Sequence, residues 1–460
     1  MSGGPPPGRI PPDDSRYRAT VDKRFNKRFT AAPDYVRLAA STDDVVAAVA
    51  DAVRENRRLV VTSGGHCLEG FVSDPDVKVI VDVSPMKRIA FDAARGAISV
   101  EAGATVGETF RALAEKWGVV VPLGEYPGIG MGGHVAGGAF GFLCRQHGLA
   151  ADYLQAVEVV TVDAGGSPVV TVATRESSDP NRELWWALTG AGGGNFGIIT
   201  RFWFRSPGAS GADPTTLLPR APESITTFRA EWSWKDIDRP AFQRLCRNHG
   251  LWSEKTSDAN GPYASFWTLL ALHRKQLGKI VVRGVSTASA AAHKVDDFLA
   301  ALGEGTAAET SDREQASMSW LEFALNPFPD MFAMPPGGVS VKVKDALLKT
   351  RLTDRQIDVA YDHLTSADHD VMGGMLGMAS YGGAINRVAP DATASAQRDA
   401  ILDLACNAGW VDPHDEAKNL AWARAFYRDL FAESGGVPAP GDRCYDWHAA
   451  CGRAVGSCAL

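Results

Sequence analysis

The 460-residue sequence is most informative first for what it lacks. It has no CxxC pair, no HExxH and no GxxxxGK[ST], which removes the commonest zinc-binding, zinc-protease and P-loop readings. Its seven cysteines, Cys67, Cys144, Cys246, Cys406, Cys444, Cys451 and Cys458, are odd in number and scattered, unlike a disulfide framework. No apolar run is long enough to span a bilayer, and residues 1–16, rich in Pro and Gly, contain no apolar leader core. The net charge of -7 leaves no basic stripe for nucleic acid. A reducing, cytoplasmic location is expected, with no metal, nucleic-acid or membrane partner, as a monomer or homodimer.

Glycine, in contrast, is plentiful at 47 residues, and it clusters. Three glycine-rich turns fall at Gly64-Gly65, Gly128 to Gly138 and Gly190 to Gly197. Successive backbone N–H groups in such turns form anion nests, and the missing Cβ lets a diphosphate approach. Two turns match GxGxxG, at Gly128/Gly130/Gly133 and Gly192/Gly194/Gly197. A dinucleotide fold needs that motif to open a helix after the first strand. Here "GGNFGIITRFWF" opens a strand, and "GMGGHVAGGAFG" carries too much glycine for a stable helix, so a Rossmann NAD(P) site is disfavoured. "VVTSGGHCLEGF", residues 60–71, places His66 and Cys67 directly behind a Gly-Gly turn. That histidine is incidental to a phosphate loop, a metal ligand, or part of a cofactor grip.

The pattern along the chain predicts a helix capped at Ser41–Asp44 with the stripe Val45, Val46, Val49, Val53. Strands at 59–61 and 77–83, a hairpin at 88–101 and a Thr105-capped helix ending near Gly118 follow. A strand at 119–121, paired strands at 154–162 and 168–173 and a helix at 182–188 complete the first part. Residues 205–224 read as a joint. Beyond it, "ASFWTLLALHRK" and "KIVVRGVSTA" read as strands, whereas 355–366, 394–410 and the stretch after Glu416 read as amphipathic helices. The substrate pocket is expected near Phe266, Trp267 and His273.

The ordered blocks "TSGGHCLEGF", "VIVDVSPM", "VEAGAT", "PGIGMGGHVAGG", "LAADYLQAVEVVTVDA", "ELWWALTGAGGGNFGIIT", "YGGAIN" and "GGVPAPGD" resemble the berberine-bridge-enzyme-type FAD-linked oxidases of the vanillyl-alcohol-oxidase flavoprotein superfamily. The sequence is most similar to bacterial antibiotic-tailoring hexose oxidases. The resemblance implies an α+β fold: a two-subdomain, PCMH-type FAD-binding domain (17–205) behind a flexible arm (1–16). An antiparallel-sheet substrate domain with helices (206–430) and a C-terminal segment returning to the FAD domain (431–460) complete it.

It further implies FAD bound covalently through the ring of His66. In relatives a cysteine adds a second flavin bond, but Tyr126 stands at that position and has no thiol, so a single link is expected. Ser63, Gly64 and Gly65 would face the diphosphate, with Cys67 packing beside them. Asp82 and Ser84 would border the cofactor, and His134, behind Gly132-Gly133 and before Gly137-Gly138, would reach the ribityl chain or pyrimidine edge unless it is a core histidine satisfied by backbone. Ile129 matches the position governing oxygen access, while Gly192, Gly193, Gly194 and Ile198 would wrap the adenosine. Tyr381 and Tyr445 match tyrosines near the substrate face and are the candidate bases; around Tyr445 the family pattern breaks down after Cys444-Tyr445. The implied activity is hydride transfer from an alcohol or hemiacetal carbon of a sugar-bearing or secondary-metabolite substrate to the flavin. O2 would then be reduced to H2O2, in antibiotic biosynthesis. A dehydrogenase of the same fold, or a flavin-loaded binding protein without turnover, are the alternatives.

Overall fold

A computed structural model describes residues 8–288, 291–331, 335, 337–367, 371 and 373–439. Three sheets organise it. The first runs Gly8–Ile10, Tyr35–Leu38, Val79–Asp82, Leu59–Thr62 in spatial order, antiparallel at the outer pair and parallel elsewhere. The second is antiparallel: Ile89–Asp92, Ala97–Glu101, Ile198–Phe204, Leu154–Val162, Pro168–Thr174. The third has seven antiparallel strands: Asp312–Ser319, Ser224–Ser233, Lys279–Ser286, Phe266–His273, Met375–Ser380, Leu402–Trp410, Ser340–Leu348.

Local chemistry sets several boundaries. Ser41 accepts from the Asp44 N–H and starts the helix Thr42–Arg54. Thr105 and Glu108 form a reciprocal capping box on the helix Val106–Trp117, which ends at Gly118 in a left-handed turn. Alternation along Phe266–His273 divides the seven-stranded sheet between two cores. Phe266, Leu270 and Leu272 pack with the helices Arg239–Lys255, Ala291–Gly303 and Glu416–Leu430, whereas Trp267 and Leu269 join the core of the first two sheets.

Buried arginines tie the parts together. Arg145 donates to the carbonyls of Tyr381 and Thr256. Arg398 meets the carboxylate of Asp152 at 2.6 Å.

Five sequence expectations need correction. Residues 394–410 are not a helix. Leu402, Leu404, Cys406, Ala408 and Trp410 are buried in strict alternation with the residues between them, which is the period of a strand. The glycine-rich 131–136 segment does form a short helix, because the Met131 and Gly132 N–H groups bond the carbonyls of Ala104 and Ala102 and hold its first turn. Residues 119–121 make only an isolated pairing, Val119 with Arg220. Gly8–Ile10 of the supposed arm pairs with Tyr35–Leu38, burying Ile10. Val53 turns outward, and Ala48 and Ala52 complete the buried stripe of its helix instead.

Candidate active site

All three glycine turns open onto one cavity of about 720 Å³. One wall is Ser63 to Cys67, Gly130, Gly132, Gly133, Gly137, Gly193, Gly194 and Ile198; the other is Trp267 and Leu269 with Met375, Gly377, Ala379, Asp403, Ala405 and Asn407 of the seven-stranded sheet.

The turns are glycine because backbones cross there. A Cβ on Gly64 would stand 2.3 Å from the Gly130 nitrogen. Gly65 is left-handed (φ +76), and a Cβ on it would lie 2.3 Å from the Lys23 carbonyl oxygen. Ser63 donates its hydroxyl to the Ala102 carbonyl at 2.7 Å, which fixes the turn against the neighbouring sheet.

His66 leaves this turn half-buried, its ring stacked on Phe25 at 4.9 Å and tilted against Tyr126 at 5.0 Å. Phe25 comes from an irregular N-terminal segment whose N–H bonds the Gly65 carbonyl at 3.0 Å. Cys67 is buried in the core of Val72 and Val77. His134 accepts the Gly124 N–H on Nε2 at 2.7 Å. An accepting Nε2 leaves the ring proton of a neutral imidazole on Nδ1. His134 is thus both backbone-satisfied and on the cavity wall, so the two readings of its role are compatible. The same bond fixes the Gly124-Glu125-Tyr126 segment beside His66. Ile129 also lies on the wall.

Six of the sequence candidates, Asp82, Ser84, Gly138, Gly192, Tyr381 and Tyr445, stand off the lining or beyond description. Asp82 is buried, with its carboxylate on the Ser84 N–H (2.8 Å) and 3.9 Å from Lys23 Nζ. Gly138 and Gly192 lie behind the wall, where the Gly192 N–H bonds the Ala136 carbonyl. Tyr381 is fully buried one layer back, its ring 4.9 Å from Phe140, which does reach the cavity. Tyr445 lies outside the described residues. Of the expected pocket residues only Trp267 lines the cavity; Phe266 points to the opposite face.

Sequence reasoning passed over Phe25, Glu125, Asp403 and Asn407. The period-2 pattern of 402–410 was the available signal for the last two.

Among the described residues no three His, Cys, Asp or Glu side chains group as metal ligands, and no helix is long and apolar enough to cross a membrane. The arrangement fits an FAD: glycine turns without Cβ atoms suit a diphosphate, and an imidazole and aromatic rings stand where a flat ring system would meet the sheet.

Comparison with known proteins agrees. Residues 33–171 match the family described as FAD binding domain. The chain is 46% identical over 438 residues to aclacinomycin-N/aclacinomycin-A oxidase of Streptomyces galilaeus, covering 94% of this chain and 78% of that protein. The crystal structure of aclacinomycin oxidoreductase superposes with a TM-score of 0.91 at 43% identity, over 94% of this chain and 87% of the other. A glycopeptide hexose oxidase complexed with teicoplanin gives 0.88 at 40% identity, over 95% and 87%.

Proposed function

The chain belongs to the berberine-bridge-enzyme-like FAD-linked oxidoreductases, and from that premise we propose that it oxidises a hydroxyl-bearing carbon, alcohol or hemiacetal, on the sugar of a glycosylated secondary metabolite. The observation that carries this reading is the single cavity shared by the glycine turns and the face of the seven-stranded sheet. A substrate lying on Trp267, Ala379 and Asn407 is pressed toward the wall that carries His66 and His134. An aclacinomycin-N/aclacinomycin-A oxidase and a glycopeptide hexose oxidase complexed with teicoplanin are among its relatives, which supports a sugar-bearing substrate.

When bound, the flavin supplies a two-electron acceptor for hydride, and O2 regenerates it with release of H2O2. The chain's own residues do the rest. Ser63, Gly64 and Gly65 hold the diphosphate. The His66 imidazole, a ring-nitrogen nucleophile, would carry the single covalent link to the cofactor; Tyr126 packs beside it without adding a second. His134, fixed by the Gly124 N–H, presents its other ring nitrogen as a donor. We divide the chain at about residue 205 into a cofactor-holding part and a substrate-holding part.

The test is anaerobic addition of aclacinomycin N to purified holoprotein. Bleaching of the flavin, followed on aeration by H2O2 equal to the substrate consumed, is the expected result. Bleaching without H2O2 would make it a dehydrogenase. No bleaching by aclacinomycin N or by a panel of glycosides would remove the oxidase reading.

A further inference from the structure

Two acidic side chains unused so far face each other across the domain junction. Glu125 comes from the cofactor side, next to Tyr126, and Asp403 from the seven-stranded sheet. Both line the shared cavity. Each is half-buried, its remaining exposure being to that cavity. Asp403 Oδ1 is buried without a hydrogen-bond partner, and neither carboxyl takes part in an ion pair among the described residues. A structural carboxylate this deep in a protein is normally paired with a cation or saturated by N–H donors. Asp152 shows that pattern in the same molecule, held by Arg398 and the Leu149 N–H. Glu125 and Asp403 do not.

Burial favours the protonated form of both, and the negative charge of Asp403 raises Glu125 further. Two such groups at close quarters do not both ionise, and the protons leave in steps that belong to the pair. The other titratable groups facing them are His66, Tyr126 and His134 on the wall, Cys144 behind Glu125, Tyr381 behind Phe140, and Asp345 opposite Ala405 on the adjacent strand. Arg58 and Asp74 line the same cavity, but among the described residues no arginine or lysine acts on either Glu125 or Asp403.

We propose that Glu125 and Asp403 hold one proton between them and form the general base of the reaction, accepting the hydroxyl proton of the alcohol as it is oxidised. This rests on the oxidase reading above. The O–H bond breaks with its proton passing to the shared carboxylate. Its electron pair forms the carbonyl, and the hydrogen on carbon departs with its own pair to the two-electron acceptor. The pair becomes doubly protonated and returns a proton to water when product leaves. Because one carboxyl comes from each part of the chain, the base is complete only when the two parts are packed together. An acidic pair could alternatively bind an ammonium group on a substrate. The absence of any donor on Asp403 Oδ1 and the retained proton favour proton transfer, since a cation receptor works best with both groups ionised.

The test uses the holoprotein and the near-isosteric variants Glu125→Gln and Asp403→Asn, with two readouts. The first needs no substrate: infrared difference spectra between about pH 5 and pH 9. The wild type is expected to show a protonated carboxyl band that persists at neutral pH and is lost in both variants. A spectrum in which neither substitution removes such a band overturns the shared proton. The second is stopped-flow anaerobic flavin reduction by aclacinomycin N. Each variant is expected to lower the limiting reduction rate at least about 100-fold, the lower end for a lost general base, with substrate Kd and flavin content little changed. Asp403→Glu, which keeps a carboxyl, is expected to recover part of the rate. Variants that reduce within about threefold of wild type overturn the proposal, as does a weakened Kd with an unchanged rate, which would mark a binding site for a cation. If the wild type is itself not reduced by any alcohol, the oxidase reading fails and the catalytic role falls with it; a reactive wild type beside unaffected variants removes the carboxyl pair alone.

Discussion

Asp152→Asn keeps the shape of the side chain but removes the negative charge opposite Arg398. That pair is shut away from solvent, with Arg398 0% and Asp152 9% exposed. Arg398 Nη2 reaches Asp152 Oδ1 at 2.6 Å and Nη1 reaches Oδ2 at 3.1 Å, so the contact is two-pronged. The guanidinium also donates to the Ser395 carbonyl at 2.9 Å and Thr393 Oγ1 at 2.7 Å. Removing one member of a buried pair costs roughly 3–5 kcal/mol, because the other charge stays buried without its counter-ion. The neutral acceptors around Arg398 persist in the variant, so the lower end applies, about 3 kcal/mol. At roughly 2 °C per kcal/mol for a large chain, the melting temperature should fall by about 6 °C. Equilibrium urea unfolding followed by tryptophan fluorescence measures the loss. The double variant D152L/R398M, which replaces both charges by apolar groups, should recover most of it. A loss below about 1 kcal/mol in Asp152→Asn, or no recovery in the double variant, would refute the reasoning. The consequence is also functional: Arg398 anchors the segment that enters the strand Leu402–Trp410, and so the placement of Asp403.

Three further outcomes are expected. Gly65→Ala forces a Cβ into the left-handed region and against the Lys23 carbonyl oxygen; it should cost about 2 kcal/mol or more and lower the flavin-to-protein absorbance ratio, whereas a fully loaded variant would contradict the backbone crossing described. Thr105→Ala removes the hydroxyl that accepts the Glu108 N–H at 3.2 Å and should cost about 1 kcal/mol in urea unfolding. The pH dependence of stability follows from the raised carboxyls of Glu125 and Asp403. Folded protein keeps protons there that the unfolded chain has already released. Stability therefore falls as pH rises from the ordinary carboxyl range through neutrality. Asp403→Asn should flatten that decline in melting temperature, and a variant profile parallel to wild type would count against it.

The parts of the site that were legible in the sequence are local. The Gly64-Gly65-His66 turn, the Thr105 helix cap and the 88–101 hairpin each rest on residues a few positions apart. What was hidden rests on distant partners or on a competing period. The stretch 394–410 contains Ala, Leu, Gln and Arg, which suit a helix, yet Leu402 to Trp410 alternates and pairs with strands on both sides. Reading it as a helix concealed that Asp403, Ala405 and Asn407 share the cavity face. Phe25 has no local signal at all, since it is placed by one backbone bond to Gly65. The Tyr381 motif was conspicuous in the sequence, but its strand end and the Arg145 guanidinium hold the ring behind Phe140. The glycine-rich helix 131–136 escaped because its support comes from carbonyls on another segment; intrinsic propensity is a weak prior against such bonds.

The central claim is that the cavity behind the Gly-Gly turn holds an FAD bonded to the chain at one residue. Acid precipitation of the purified protein, followed by peptide mass mapping, tests it most directly. The account predicts a yellow pellet with the flavin mass on the peptide containing His66 and on no other. Flavin left in the supernatant, or carried by a peptide containing Tyr126 or any other residue, would contradict it.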